Sequence, residues 1–307
     1  MNLILRSAAL ACGALVIVAT PASTPANPYM IPGPIQAAAG DYMQTSLSTL
    51  LGRSGNLRAV FGTPASLLQN PVLGALLSGR VFGAPGTRPF ELSSPDGARL
   101  AILLLQPFVP GQAAQLSGYR VGRWHPRAKT ALGPQYAAPE EFIPVTPENE
   151  MTPVSKSFVL RDFVTHDQQS VWPKVLVLRT ALLDKLELIG GELERRGLPN
   201  KLHVMSGFRT PQYNAQGVGP RGGRARDSRH MYGDAADVIV DANGDGRMDD
   251  LNGDGRITVR DARVLYAVAE GVEAQHPELV GGLSAYASTP AHGPFVHVDT
   301  RGVRARW

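Results

Sequence analysis

Cysteine is almost absent from this 307-residue chain, and its scarcity excludes several kinds of site. The single cysteine, Cys12, lies inside an apolar run near the start of the sequence. A disulfide framework is therefore excluded, and any metal site elsewhere must use histidine and carboxylate side chains. Cys12 is itself a candidate lipid-attachment point, although Ala9 rather than leucine stands three residues before it and apolar sequence continues past it.

Long runs of one charge are also lacking. The formal net charge is +4, and charged residues make up 18% of the chain. The basic residues are mostly arginines spread along the sequence, a pattern that does not predict nucleic-acid binding. A mild positive charge suits an anionic polymer such as a cell wall, but an ordinary solvated surface explains it more simply.

No apolar stretch is long enough to predict a stable membrane span. Arg6 is followed by SAALACGALVIVAT, a run of signal-peptide length that is rich in small residues. We therefore predict a signal peptide over residues 1–26, with cleavage after Ala22 or Ala26, and an exported protein of the periplasm or cell envelope. An uncleaved N-terminal anchor is the alternative.

Composition divides the rest of the chain into two structured regions and two linkers. Residues 27–45 are rich in proline, alanine and glycine and are predicted to form a linker. Strand-like segments broken by Asp-Gly and Pro-Gly turns predict a small β-rich domain over residues 46–130, which carries no motif with evident chemistry. A second proline-rich linker is predicted over residues 131–155, ahead of a better patterned region over residues 156–307.

That C-terminal region shows clear helical and strand patterns. Residues 177–199 place leucine and isoleucine on one helical face, and Gly197 and Pro199 end the helix in the expected order. The segment TVRDARVLYAVAEGV predicts a second amphipathic helix. Three strands are predicted in the segments KLHVMSGF, AADVIVD and PFVHVDT.

Two of these strands carry ionisable residues among valines. Because strand side chains alternate between faces, Asp237 points away from two neighbouring valines, and His297 and Asp299 point away from two others. Burying an unpaired Asp or His is costly, and a shared divalent cation removes that cost. His230, Asp237 and His297 would together supply two imidazoles and one carboxylate, which leaves an open water position as in catalytic zinc sites. An Asp–Arg pair and an ordinary hydrogen-bonded histidine are the alternative interpretation.

The segments SGFRTPQYN, SRHMYGDAAD and FVHVDTRGVRARW resemble the zinc D-Ala-D-Ala carboxypeptidase family, the peptidase M15 group, which includes murein endopeptidases and belongs with the lysostaphin-like and hedgehog-like zinc peptidases. The resemblance covers about residues 150–307. The family pattern is S-x-H-x-x-G-x-A-x-D followed by a distant His on a late strand. Its five fixed positions are occupied here by Ser228, His230, Gly233, Ala235 and Asp237.

This resemblance implies an α+β fold in which a small antiparallel sheet with flanking helices carries one zinc ion, held by His230, Asp237 and His297. It implies that Arg209 pairs with a substrate carboxylate and that Ser228 helps to orient the substrate or the metal loop; ordinary surface and turn roles are the alternatives. The implied activity is hydrolysis of amide bonds in peptidoglycan stem peptides or cross-links, as a carboxypeptidase or an endopeptidase. A non-catalytic, metal-containing wall-binding protein is the alternative.

One part of the family's catalytic set is missing. Relatives place a Glu three residues before the last zinc ligand or a His two residues before it, whereas this chain has Pro294 and Phe295 there. Asp299 and His292 are the two substitutes that the sequence offers for the general base. Each has a simpler alternative, because Asp299 suits the orientation of a ligand and His292 suits a loop surface.

An acidic segment, DANGDGRMDDLNGDGRITVRD, separates the zinc-ligand segments and predicts one or two structural Ca²⁺ ions. Its second half matches a calcium loop, and its first half repeats the pattern nine residues earlier. Dense oxygen ligands favour Ca²⁺ over Zn²⁺, and a solvated loop without metal is the alternative. A calcium-dependent adhesion or scaffold module is a third hypothesis for the protein. The predicted ligands in this insertion over residues 241–261 are Asp241, Asn243, Asp245, Asp250, Asn252, Asp254, Arg256 and Asp261.

Overall fold

The computed structural model describes residues 57–77, 82–93, 97–108, 115–126, 128–220 and 222–307. The predicted signal peptide, Cys12 and the first predicted linker lie outside these ranges. Within them the chain combines α-helices with several small β-sheets, so the predicted α+β class is confirmed. None of the helices in these ranges is long and apolar enough to cross a membrane.

The first sheet combines one parallel and one antiparallel strand pair. Its strands are β1 (Leu57–Gly62), β2 (Phe90–Ser93) and β3 (Arg99–Leu104), with β3 in the middle. β1 pairs with β3 in parallel, and β2 pairs with β3 antiparallel. Two short helices follow β1, namely α1 (Pro64–Gln69) and α2 (Pro71–Leu77). The segments FELSS and RLAILLLQPFV therefore form strands where the sequence predicted them.

Two further small sheets follow. One is a hairpin whose strands are β5 (Gln115–Leu116) and β6 (Tyr119–Arg120). The other has three strands in the order β4 (Gln106–Pro107), β7 (Glu141–Val145) and β8 (Lys174–Leu176). The short helix α3 (Ala128–Leu132) precedes a 3₁₀ helix at Pro134–Tyr136.

The segment over residues 131–155, predicted as a linker, differs in the structure because it contains β7. Phe142, Ile143 and Val145 are buried in the core, and the N–H of Ala59 donates to the carbonyl of Val154 at 2.9 Å. All described residues fall within one unit over residues 42–307. The strand sequence EFIPV is a short apolar run among prolines, so composition alone gave the segment the character of a linker.

A five-stranded sheet organises the C-terminal half, and most of its strand pairs are antiparallel. Three of its strands coincide with the predicted segments KLHVMSGF, AADVIVD and PFVHVDT. The strand Ala305–Arg306 lies at one edge, parallel to the strand Gly282–Tyr286, and the strand Leu202–Ser206 lies at the other edge. The strands are β9 (Leu202–Ser206), β10 (Ala235–Val240), β11 (Gly282–Tyr286), β12 (Phe295–Asp299) and β13 (Ala305–Arg306).

Two long helices pack against this sheet and against each other. They are α4 (Thr180–Arg195) and α6 (Val259–Gln275), and α6 contacts β11 and β12. Between them in sequence lies the short helix α5 (Pro211–Ala215). Burying one leucine-sized side chain contributes about 1.5–3 kcal/mol, so the apolar face of α4 holds it in the core. The residues predicted for this face are all buried: Leu182, Leu186, Ile189 and Leu193.

A buried ion network also fixes the two long helices to the sheet. Lys185 of α4 donates to Glu273 Oε1 of α6 at 2.5 Å and to the carbonyl of Asp299 at 2.7 Å. Arg306 of β13 donates to the other oxygen of Glu273. Burial lowers the pKa of Lys185, against the opposing influence of Glu273. Removing one partner of such a buried pair costs about 3–5 kcal/mol, because the other charge is left buried and unpaired. The packing behind β12 therefore depends on all three side chains staying paired.

Candidate metal centre

Strand register brings Asp237 and His297 together. Asp237 on β10 lies directly opposite His297 on β12. On the other side of β10, the pairing with β9 skips Met205, which marks a β-bulge beside Asp237. Bulges re-aim side chains and are common next to functional sites. The two strands thus present an imidazole and a carboxylate at one point of the sheet.

His230 reaches the same point from the segment before β10. It lies in a 3₁₀ helix over Arg229–Tyr232, which ends at Gly233 with a φ of 75°. A Cβ at Gly233 would lie 2.4 Å from the carbonyl oxygen of Val177, so the close approach also requires glycine. This tight turn explains the fixed spacing of His230 and Asp237 in the sequence motif.

The three side chains place three ligand atoms in a nearly equilateral triangle. His230 Nε2 lies 3.2 Å from Asp237 Oδ1 and 3.2 Å from His297 Nδ1, and the last two atoms are 3.0 Å apart. Tetrahedral zinc at about 2.0–2.1 Å from its ligands requires ligand atoms about 3.3 Å apart, so the triangle fits that ion. Across the described ranges, this is the one cluster of three His, Cys, Asp or Glu side chains close enough to hold a metal ion.

Hydrogen bonds on the far side of each imidazole leave the correct nitrogen for a metal. His230 Nδ1 donates to the carbonyl of Gly207 at 2.7 Å, which leaves Nε2 facing the cluster. His297 Nε2 lies 3.1 Å from Asp299 Oδ2, which leaves Nδ1 facing the cluster. Metal-binding histidines commonly have such partners, which fix the tautomer and the ring orientation.

The electrostatics of the cluster also suit a divalent cation. Burial lowers the pKa of His230. Burial opposes protonation of His297 too, but hydrogen bonds with Asp237 and Asp299 raise its pKa overall. Despite burial, His230, His297 and Arg209 hold the pKa of the Asp237 carboxyl well below its usual range. The cluster therefore combines an ionised carboxylate with neutralisable imidazoles, the donor set that binds a metal with release of protons.

Arg209 contacts the same carboxylate. Its Nε donates to Ser206 Oγ at 2.9 Å, and its guanidinium donates to Asp237 Oδ2. A guanidinium has five N–H donors in a planar fork, so donors remain for another acceptor. The structure therefore places Arg209 beside the metal-ligand candidates, and its pairing with a substrate carboxylate stays a prediction.

A cavity of about 1000 Å³ opens onto this cluster. The three metal-ligand candidates and Arg209 line part of it, and Tyr286, Phe295 and Trp307 add aromatic surface. The rings of Tyr286 and Phe295 stack with centroids 4.6 Å apart, and Trp307 Nε1 donates to the Tyr286 hydroxyl at 2.5 Å. A concave site with an aromatic wall and a few convergent polar groups is typical of ligand-binding sites.

The two candidates for the general base occupy different places. His292 lines the cavity, and its Nδ1 donates to the carbonyl of Gly293 at 2.8 Å, which leaves Nε2 as the acceptor of a neutral ring. Asp299 is fully buried and contacts the nitrogen of His297 that points away from the cluster. The structure therefore supports the orienting role for Asp299 and leaves His292 as the accessible candidate.

Ser228 lies at the entrance to the 3₁₀ helix that carries His230. It is buried and lines the cavity, and its carbonyl accepts the N–H of Met231 at 3.1 Å. Its side chain makes no capping hydrogen bond to that helix. Both roles predicted for Ser228, substrate orientation and a turn, are compatible with this position.

His166 is a cavity-lining residue that the sequence analysis did not single out. It belongs to the segment VTHDQQS, where neither strand nor helical periodicity marks it as functional. Lost hydration and the Arg209 guanidinium lower the pKa of its imidazole. The single sequence offers no spacing that links His166 to the motif residues, because it reaches the cavity through the fold alone.

The two acidic loops share one internal hydrogen-bond pattern. Asp241 and Asp250 each accept backbone N–H groups three, four and five residues later in the chain. Asn243 and Asn252 each accept the N–H two residues later. Asp261 is fully buried and accepts the N–H groups of Leu251, Asn252 and Thr258, which ties the second loop to α6. The sequence repeat is thus a structural repeat, and calcium binding stays a prediction.

Comparisons of the chain with protein-family models, curated proteins and solved structures find no match. A functional proposal therefore depends on the geometry of the His–Asp–His cluster and on the resemblance of its motif residues to the zinc peptidases.

Proposed function

We propose that the protein is an exported zinc metallopeptidase that hydrolyses amide bonds in peptidoglycan stem peptides or cross-links. The triangle formed by His230 Nε2, Asp237 Oδ1 and His297 Nδ1 at the wall of an open cavity carries this proposal. Three protein ligands beside an open position are typical of catalytic zinc, whereas structural zinc is closed by four. Bound zinc lowers the pKa of a coordinated water and polarises a carbonyl group.

The role of Arg209 in this proposal is to bind a carboxylate of the substrate. Its guanidinium is already held by Ser206 and Asp237, so little side-chain entropy is lost when it binds a further acceptor. The planar fork suits bidentate binding of a carboxylate. This contact would place the neighbouring amide bond at the cluster.

We assign His292 as the general base. Its Nδ1–H is held by the carbonyl of Gly293, so the neutral ring presents Nε2 as a proton acceptor. The His292 ring packs against that of Phe295 in a T-shaped arrangement, with centroids 4.9 Å apart, and this contact restricts the loop next to β12. In the proposed reaction, Nε2 takes a proton from the attacking water and later returns it to the leaving amine.

One observation favours a second function, a non-catalytic metal-containing protein that binds the cell wall. Pro294 and Phe295 stand where relatives carry a glutamate or a histidine. Phe295 stacks on Tyr286, so this part of the cavity is aromatic rather than basic. In this alternative, the cluster and Arg209 bind a peptide carboxylate without hydrolysis.

We further propose that the insertion over residues 241–261 binds one or two structural Ca²⁺ ions. The repeated turn around Asp241 and Asp250 supports this proposal, since both loops place oxygen-bearing side chains at the same intervals. Asp241 directly follows β10, and Asp261 lies in the first turn of α6, so a stable insertion would hold these two elements at fixed positions.

Digestion of purified peptidoglycan tests the peptidase proposal. Wild type, His230→Ala and His276→Ala would each be incubated with zinc and calcium, and the products identified by mass spectrometry. His276 follows α6 and does not line the cavity, so it is a matched control for loss of an imidazole. We expect new fragments from wild type and His276→Ala only, and the fragment masses would name the bond.

The same reactions discriminate between the two functions. Zinc bound at one ion per chain, with no new fragments from the wild type, would favour the non-catalytic wall-binding protein. Fragments released equally by His230→Ala would contradict both the metal site and the peptidase proposal.

A further inference from the structure

We propose that Asp299 is a positioning residue for the candidate metal ligand His297, and that Arg301 and Gly282 form a clamp that holds its carboxylate. The inference rests on the metal centre of the proposed function and does not depend on hydrolysis. It assigns a role to three residues outside the ligand set.

Asp299 contacts the candidate ligand His297 directly. Asp299 Oδ2 lies 3.1 Å from His297 Nε2, while His297 Nδ1 lies 3.0 Å from Asp237 Oδ1. The imidazole is thus held between two carboxylates, one on each ring nitrogen. The Asp299 contact keeps the proton on Nε2, so Nδ1 remains the atom available to a metal.

The Asp299 carboxylate is held in one orientation by hydrogen bonds to Arg301 and Gly282. Arg301 Nε lies 2.9 Å from Oδ1 and 3.0 Å from Oδ2, and the backbone N–H of Arg301 donates to Oδ1 at 3.1 Å. The N–H of Gly282 donates to Oδ1 at 2.7 Å. Asp299 is fully buried, so solvent does not compete for these bonds. The carboxylate cannot rotate without breaking charge-assisted hydrogen bonds.

Gly281 and Gly282 leave the space that this carboxylate occupies. A Cβ added at Gly282 would lie 2.4 Å from Asp299 Oδ2, and one at Gly281 would lie 2.0 Å from the carbonyl oxygen of Asp299. Any other residue would therefore displace the acidic group from His297. The Gly-Gly pair at the start of β11 is explained by this close approach rather than by an unusual φ.

The Asp299 carboxylate is fully buried, although the neighbouring Trp307 is 55% exposed. The ring of Trp307 lies 5.3 Å from that of His297, and the Arg301 guanidinium lies 5.5 Å from the centre of the Trp307 ring. Lys185 Nζ reaches the carbonyl of Asp299 from the core side at 2.7 Å. In such surroundings a charged hydrogen bond is stronger than in water, so Asp299 has a direct influence on the ligand strength of His297.

Zinc affinity of the full-length chain tests the inference. The proteins would be wild type, Asp299→Asn and Glu192→Gln, titrated with zinc against a chromophoric chelator. Glu192 of α4 is the control, because it is also buried and paired with arginines, Arg195 and Arg196, rather than with the clamp. Asp299→Asn keeps the shape of the side chain and removes its charge. Partners of this type are typically worth a 10–100-fold change in metal affinity.

We expect Asp299→Asn to weaken zinc binding by about 10–100-fold and to change the visible absorption spectrum of the Co²⁺-substituted protein. Glu192→Gln is expected to lower the melting temperature of the metal-free protein but to keep the wild-type zinc affinity and Co²⁺ spectrum. Equal zinc affinities for the two variants would overturn the inference and leave Asp299 with a purely structural role.

A second variant keeps the test decisive if Asp299→Asn does not fold. Arg301→Lys retains the positive charge but loses the fork, so we expect a smaller weakening of zinc binding in a folded protein; wild-type affinity there would count against the clamp. A wild type that binds zinc but releases no peptidoglycan fragments would contradict the peptidase proposal and leave this inference intact. A wild type that binds no zinc would overturn both.

Discussion

The His–Asp–His cluster and the two acidic loops both follow metal-binding patterns in the sequence, yet the structure treats them differently. In the cluster, ligand atoms of His230, Asp237 and His297 face one another at 3.0–3.2 Å and are buried. In the loops, the side-chain oxygens of Asp241 and Asp250 face the N–H groups of their own turns. The imidazoles of the cluster are oriented by hydrogen bonds to other segments, whereas the loop carboxylates accept hydrogen bonds from the backbone of their own turns.

The two sites differ in how their ligands are organised before a metal binds. Gly207 and Asp299 fix the two imidazoles of the cluster through atoms that a metal would not use. A site whose ligands are already in place loses little entropy on binding, so the cluster is expected to bind its ion tightly. The carboxylates of Asp241 and Asp250 instead accept backbone N–H groups of their own turns, so we expect a weaker ion there with effects on stability only.

The largest predicted effect is the loss of a ligand from the cluster. His297→Ala removes one corner of the triangle and leaves Asp237 without its cross-strand partner. We expect bound zinc to fall from one ion per chain to none and hydrolysis of peptidoglycan to be abolished, as measured by elemental analysis and fragment release. Asp250→Asn, which alters a loop instead, should keep the zinc. Retention of zinc by His297→Ala would contradict the assignment of His297 as a zinc ligand.

The next effect concerns the base rather than the metal. His292→Ala removes a cavity imidazole whose Nδ1 is held by Gly293, so we expect kcat to fall by about 10²–10⁴-fold with zinc content unchanged. His276→Ala is the control. His166→Ala is a second and more closely matched control for His292→Ala, because His166 lines the same cavity but is assigned no proton transfer. A larger loss of kcat in His166→Ala than in His292→Ala would reassign the base.

Much of the C-terminal fold was predictable because its signals are local. The apolar face of α4 and the alternation of valines in β10 and β12 each belong to one segment, and all three elements are present. The spacing of His230 and Asp237 was readable for the same reason. Register was not readable, since nothing in either strand sequence states that Asp237 pairs with His297 rather than with a neighbour.

Long-range contacts account for what the sequence did not reveal. β7 was hidden in a proline-rich segment because its partners, β4 and β8, lie far away in the chain. His166 reaches the cavity through the fold, and the orienting contact of Asp299 depends on Arg301 and on Gly281 and Gly282 at the start of β11. In each case the chemistry arises from tertiary packing, which no periodicity encodes.

A smaller effect is predicted for the substrate arginine. Arg209→Lys keeps the charge but loses the fork that contacts Ser206 and Asp237. We expect kcat/KM to fall by about 10–100-fold, a loss of about 1.4–2.7 kcal/mol in transition-state binding, for peptides with a free carboxylate. Zinc affinity serves as the internal check. An equal fall for amidated peptides would show that Arg209 acts on the cluster instead of the substrate.

The smallest effect on activity is predicted for changes in the acidic loops, where bound calcium is expected to affect stability rather than catalysis. Calcium at 100 times its dissociation constant stabilises a folded protein by about 2.7 kcal/mol. In a chain of this size, each additional kcal/mol of stability raises the melting temperature by about 2–4 °C. We therefore expect calcium to raise the melting temperature of the wild type by roughly 5–10 °C, and Asp250→Asn to lose most of that rise. Glu194→Gln removes an exposed carboxylate from α4 and should retain it. Because the carboxylate of Asp250 already accepts three N–H groups, a melting temperature insensitive to calcium would mean that these hydrogen bonds alone hold the turn.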